Sequence, residues 1–297
     1  MSLIPTMQGG QEAGEAHGLG AIEEIPDFIS HHLEDSRQFE FAGLHFDMNV
    51  LAFDPIHIGG LTLDLSPTRQ LLFIFLAAFV CIALFVPLAR AALRRDRTKA
   101  PSGFANGMEA LVLYFRDTVV RANIGHGADA FAPFILTLFF FILFMNLFGL
   151  TPFGITATAN LSVTAALAII AFVVVEIAGF RELGPAGYAR TIFYMPKGLP
   201  MAMKPIMLAI MTVVEALGKL TKPFALAVRL FANMMAGHIL VLAIVGLILV
   251  TQSFLVGSVS VLILSALMIL ELFVAFLQAY IFAMLTSVFI GLIRHAH

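Results

Sequence analysis

The groups able to do chemistry gather in TKPFALAVRLFANMMAGHIL, residues 221–240, with Arg229 at the centre. The run around it, residues 205–250, is otherwise as apolar as lipid. A guanidinium keeps its proton there, because its pKa lies above about 12. Holding a permanent cation at membrane depth costs from about 2.5 to more than 10 kcal/mol. Such a residue needs a polar cavity, a partner or a function. An arginine near a helix end can snorkel to water. Here apolar residues continue for about twenty positions on the C-terminal side, beyond side-chain reach.

Glu215, Lys219, Lys222, Arg229 and Asn233 follow steps of four, three, seven and four, so they share one broad helical face. His238 stands nine residues past Arg229, about half a turn out of phase. Read structurally, this is an amphipathic helix with its polar face in a protein groove. Read functionally, it is a fixed positive charge flanked by titratable groups inside a bilayer, and that reading accounts for more of the residues.

The last apolar segment carries Glu271 and Gln278, seven apart and so facing the same way. An intramembrane carboxylate is by default a functional hypothesis, and proton relay is a common role for one. If Gln278 lies beside Arg229, it satisfies some of the five guanidinium donors. In an antiparallel pair His238 then faces the neighbourhood of residue 269, within one turn of Glu271. The spacing permits two layers, Arg229 with Gln278 and His238 with Glu271. Imidazole titrates near neutrality, which suits proton transfer. The lesser alternative is a structural His–Glu pair that only holds two helices together.

Other chemistry finds no support. There is no glycine-rich phosphate loop, nucleophile elbow or HExxH spacing. Cys81, the single cysteine, lies in an apolar run and offers neither a disulfide nor a thiolate cluster. No enzyme site, metal or cofactor is expected, and the basic run at 90–99 is a topology signal rather than a nucleic-acid patch. Transport of a small cation is what remains.

The elements that must position these groups belong to a membrane. A content of 60% hydrophobic and 12% charged residues with mean hydropathy +0.96 places the chain among integral membrane proteins; soluble domains carry about 25% charged residues. The fold expected is all-α, with about five membrane segments plus an interfacial amphipathic helix. Spans are expected near 69–92, 131–150, 161–180, 205–250 and 257–294, the amphipathic helix over GFANGMEALVLYFRDTVVRANI, and long connections at FRELGPAGYARTIFYMPKGLP and TQSFLVGS. The last two segments would each reach roughly 60–70 Å against a hydrocarbon core of about 30 Å. They are expected to form a tilted antiparallel hairpin against another protein surface.

Residues 1–68 form a separate polar leader with eleven of the nineteen acids and, among Lys and Arg, only Arg37. It lacks the apolar stretch of a cleavable signal. Residues 9–20 read as disordered and 25–33 as a short helix, while FEFAGLHFD and IHIGGLTLDL read as small strands. His17, His31, His32, His45 and His57 have no ligand spacing. Five basic residues in RAALRRDRTK, and Arg181, Arg190 and Lys197 later, mark the inner side. The leader is therefore expected outside and the C-terminus in the cytoplasm, with residues 69–297 as the membrane domain.

KPFALAVRLFANMMAGH resembles the signature of subunit a of the rotary ATP synthase, the membrane stator that conducts protons past a ring of c subunits. LFMNLFGLTP, NLSVT and ELFVAFLQAYIFAMLTSVF extend the resemblance over nearly all of the chain from about residue 69. Carried over by residue, it implies that Arg229 is the essential arginine, with Asn233 and Gln278 its polar neighbours. It puts Glu215, His238 and Glu271 on the proton path, in the arrangement of mitochondrial-type members. It further implies two offset half-channels meeting the ring carboxylate, and a site in the bacterial inner membrane. The ring, the peripheral-stalk subunit b, lipid and protons are the implied partners. Asn160 stands where many members have an aspartate, so a titratable role there is in doubt. A self-contained secondary transporter would show inverted repeats, and a mere anchor would not need a buried arginine and carboxylate.

Overall fold

The computed structural model describes residues 38–41, 44–47, 56–58, 61–63, 68–94, 103–151, 156–193 and 203–294. Five helices are long and apolar enough to cross a membrane: α1 (Arg69–Arg94), α3 (Ala132–Gly149), α4 (Leu161–Ile192), α5 (Lys204–Thr251) and α6 (Phe254–Arg294). Between the first two runs α2 (Phe104–Tyr114), continued by a π-helical stretch Phe115–Arg121 and a last turn Ala122–Ile124. The membrane domain is thus all-α. In the leader, β1 (Gln38–Phe41) pairs antiparallel with β2 (Leu44–Asp47), and β3 (Ile56–Ile58) with β4 (Leu61–Leu63). Both hairpins fall in the two stretches whose alternation marked them. The expected disorder at 9–20 and helix at 25–33, and the leader histidine side chains, lie outside the described residues.

Two compact units divide the chain, one of residues 73–234 with 274–297 and one of residues 1–72 with 235–273. In the larger unit α3 is the centre. It is apolar on every side, as a helix enclosed by others must be, and 56% of it is buried against 11% of the most apolar stretch of α1. Phe139 fills the middle, its ring 4.1 Å from that of Phe115 and 5.5 Å from that of Phe276. A polar tie crosses this apolar core: fully buried Asn146 donates to the Ala275 carbonyl at 3.1 Å and accepts from Thr158 Oγ1 at 2.6 Å. Leaving that amide unpaired would cost about 1–3 kcal/mol.

The α2 segment is amphipathic as expected, burying Phe115, Val119, Val120 and Ile124 while Asp117 and Arg121 are exposed. Arg116 and Arg121 both grip Asp129, at 2.9 and 2.8 Å. Hydrogen bonds from Arg121 first, then Arg116, hold that carboxyl well below the usual carboxylate range. One face of α6 clasps the segment through its backbone. Ser287 Oγ donates to the Val119 carbonyl at 3.0 Å, and Arg294 Nη1 donates to the His126 carbonyl at 2.7 Å. Between them Gly291 lies so close to Asn123 that an added Cβ would collide with its backbone carbonyl.

Two expected boundaries change. The stretch at 180–200 was expected to be one long loop, yet α4 runs on to Ile192. Its continuity breaks only at Gly184, with φ 67° and ψ 174°, a conformation essentially restricted to glycine. Pro185 follows at the first position of a new helical segment, where its missing N–H costs nothing. The turn expected at TQSFLVGS shrinks to Gln252 and Ser253, and α6 begins at Phe254 rather than 257. Gln252 has φ 44° there, the left-handed geometry that ends many helices. Helices of 48 and 41 residues span roughly 60–70 Å.

Candidate functional site

In the smaller unit, the hairpin of α5 and α6 brings His238 and Glu271 face to face. His238 Nδ1 lies 3.7 Å from Glu271 Oε1, with side-chain exposures of 20% and 8%. The carboxylate also packs on Gly237, filling the space a Cβ there would occupy. Antiparallel spacing put residue 269 opposite His238; the side chains close the remaining two residues. A base and an acid at this separation can share or exchange a proton with little movement, directly or through one water. Of the two layers the spacing permitted, this one is formed.

The other expected layer is not formed by a hydrogen bond. Arg229 and Gln278 both belong to the larger unit, and among the described residues no hydrogen bond or ion pair joins them. Gln278 is 6% exposed, whereas Arg229 is an exposed residue. The reason lies in the helix face. Leu226, Ala227, Leu230 and Met234 form the buried stripe of α5, at the i, i+4 spacing that faces a core. Arg229 lies off that stripe and is exposed, and Asn233, one turn on, is half-buried. A guanidinium so placed in an apolar helix is available to an anion carried by another molecule.

A third group lines a cavity of about 110 Å³ in the larger unit, room for several waters. Glu215, Lys219 and Lys222 reach it from α5, Glu176 and Thr191 from α4, and Thr286 from α6. Lys219 Nζ pairs with Glu176 Oε2 at 3.1 Å and donates to Tyr188 Oη at 3.3 Å. It also sits 4.3 Å from the Tyr188 ring centre. The Tyr188 hydroxyl donates to the same Glu176 oxygen. Lys222 Nζ lies 5.5 Å from the Phe289 ring centre. Glu215 has no ion pair or hydrogen bond among the described residues.

Of the six residues singled out by sequence, the structure thus pairs His238 with Glu271, exposes Arg229, and sets Glu215 at the edge of a cavity shared with Glu176, Lys219 and Lys222. Asn233 and Gln278 make no hydrogen bond to Arg229 among the described residues. Sequence reading missed the Glu176–Tyr188–Lys219 cluster and the Asn146 tie. The opposite charges of Glu176 and Lys219 in two apolar segments were the available signal. Asn160 plays a structural part, since its side chain accepts from Ser162 N at 2.8 Å and caps α4.

The family model described as ATP synthase A chain matches residues 71–291. The chain is 39% identical to "ATP synthase subunit a" of Chloroherpeton thalassium over 295 residues, 96% of this chain and 85% of that relative. It is 42% identical to the protein of the same name from Anaeromyxobacter dehalogenans, over 96% of this chain and 74% of the relative. To "ATP synthase subunit a 2" of Chlorobaculum tepidum it is 38% identical, over 98% and 79%.

Proposed function

Since the chain belongs to the ATP synthase subunit a family, the proton-translocating subunit of that membrane sector, we propose that its residues form two offset half-channels meeting at Arg229. Each channel reaches the carboxylate of a rotating ring subunit from one side of the membrane. Arg229 stabilises that carboxylate in its ionised form as it passes, which promotes proton release. Its fixed charge also repels hydronium and relays no proton at accessible pH. The two channels therefore stay separate except by way of the ring. The observation that carries this reading is the exposed Arg229 with no ion pair among the described residues, beside a buried apolar stripe on the same helix.

His238 and Glu271 serve one half-channel and Glu215 the other, with Asn233 and Gln278 as polar neighbours of the arginine. Each proton crossing contributes about 2.3 kcal/mol per 100 mV of membrane potential, taken up as rotation. The basic clusters place the leader outside and the C-terminus in the cytoplasm, in a bacterial inner membrane. The ring of c subunits and subunit b are the partners. Arg229→Ala and Arg229→Gln are each expected to abolish ATP-driven proton pumping in inverted membrane vesicles while the protein still inserts. Near wild-type pumping by either variant overturns the assignment.

A further inference from the structure

Building on that reading, we propose that Glu176, Tyr188 and Lys219 form a charge-compensated clasp that leaves Glu215 as the proton-exchanging carboxylate of the cavity. The clasp thereby sets the electrostatic balance against which Glu215 works. Its three members are positioning residues: they act on the moving proton through Glu215.

Geometry divides the labour. Glu215, Lys219 and Lys222 fall four and seven residues apart on one face of α5. With two lysines so near, Glu215 would be expected to pair with one of them. Neither is committed to it. Lys219 is held by the Glu176 carboxylate and by both the hydroxyl and the ring of Tyr188. Lys222 rests over Phe289. Glu176 in turn receives both the ammonium and the Tyr188 hydroxyl on one oxygen. A carboxylate held this way is a poor carrier, because taking up a proton on that oxygen means breaking two hydrogen bonds.

The charged and titratable groups facing the cavity are Glu176 of α4, which also holds Tyr188, and Glu215, Lys219 and Lys222 of α5. Those that α6 contributes, Thr286, Phe289, Leu292 and Ile293, are none of them titratable. Two cations thus meet two carboxylates, and the clasp cancels one of each. The side chains of Lys219 and Glu176 are 13% and 18% exposed, so water screens their charges only in part.

The clasp exists because α4 breaks. Glu176 and Tyr188 are twelve residues apart, a separation of about 18 Å along an unbroken helix. The turn at Gly184 brings the hydroxyl back onto the carboxylate.

The test reads the pH profile of ATP-driven pumping by the intact synthase in inverted vesicles, each variant against wild type. Glu176→Gln leaves Lys219 unopposed beside Glu215, and the profile should move to lower pH by about one unit. Lys219→Met leaves Glu176 unopposed, and the profile should move to higher pH by a similar amount. The double variant removes one charge of each sign and should return the profile to that of wild type. Lys219→Arg should keep it there. Losses of rate with an unmoved profile, as from a merely structural pair, overturn the proposal. So do shifts of the two single variants in the same direction, or a double variant still displaced. Should Lys219→Met fail to co-purify with the ring, Glu176→Gln and the double variant decide by the same criteria. Glu215→Gln separates this idea from the reading beneath it. Wild-type pumping by that variant sinks the clasp proposal alone, whereas pumping by Arg229→Ala sinks the channel reading.

Discussion

At the scale of single residues, the chain treats the charges on its membrane helices in three ways. Glu176 is compensated within the protein, Glu271 shares its site with an imidazole, and Arg229 is exposed with no ion pair among the described residues. These differences lead to different responses to substitution. Under the proposed half-channel mechanism, Glu271→Gln is expected to slow proton flux without uncoupling it, because Arg229 would still separate the channels. His238→Glu sets two carboxylates side by side, an arrangement that keeps one of them protonated and impairs transfer. Exchanging the two, His238→Glu with Glu271→His, restores one acid and one imidazole and should recover part of the loss. A double-mutant cycle on pumping rates measures the coupling. Strictly additive losses would mean that the pair works as two separate residues.

At the scale of elements, glycine and asparagine decide where helices turn and begin. Gly184→Ala puts a Cβ at φ 67°, at a cost of about 1–3 kcal/mol. It should loosen Tyr188 from Glu176, seen as greater access of Tyr188 to a water-soluble modifying reagent. Unchanged protection of Tyr188 would show that the break is not what holds the clasp. Asn160→Ala removes a helix cap and should lower stability by about 1 kcal/mol, whereas Asn160→Asp keeps the cap. Thermal unfolding of the purified complex distinguishes the two. The five spans were legible because apolar runs of bilayer length seldom occur outside membrane helices. The His238–Glu271 layer was legible because antiparallel helices turn spacing into register. The clasp was not. The LGPAG run in FRELGPAGYAR signals a turn, and nothing local says that helix resumes at once after Pro185 and returns Tyr188 to Glu176. The expected Arg229–Gln278 bond failed for another reason: spacing fixes which residues come level, not which way a long side chain points.

At the scale of the whole molecule, the basic residues that flank the helices set orientation. With Cys81 replaced, Glu12→Cys and Ser253→Cys should react with an impermeant thiol reagent from outside intact cells. Arg190→Cys should react only in inverted vesicles. Labelling of position 12 solely from the cytoplasmic side would reverse the topology and exchange the roles of the two half-channels.

The clasp of α6 on the α2 segment bears on how such a chain can drift. Ser287, Gly291 and Arg294 meet the carbonyls of Val119, Asn123 and His126, so each of these contacts is made on the α2 side by main chain. Main chain is the same whatever side chain it carries. At these three contacts recognition is therefore written on α6 only. The exposed position 126 can change its residue through many generations without disturbing the joint. Gly291 has no such latitude, since even a methyl group would drive the Asn123 backbone away. A change at position 126 can pass silently where one at position 291 would be eliminated, although both belong to the same joint.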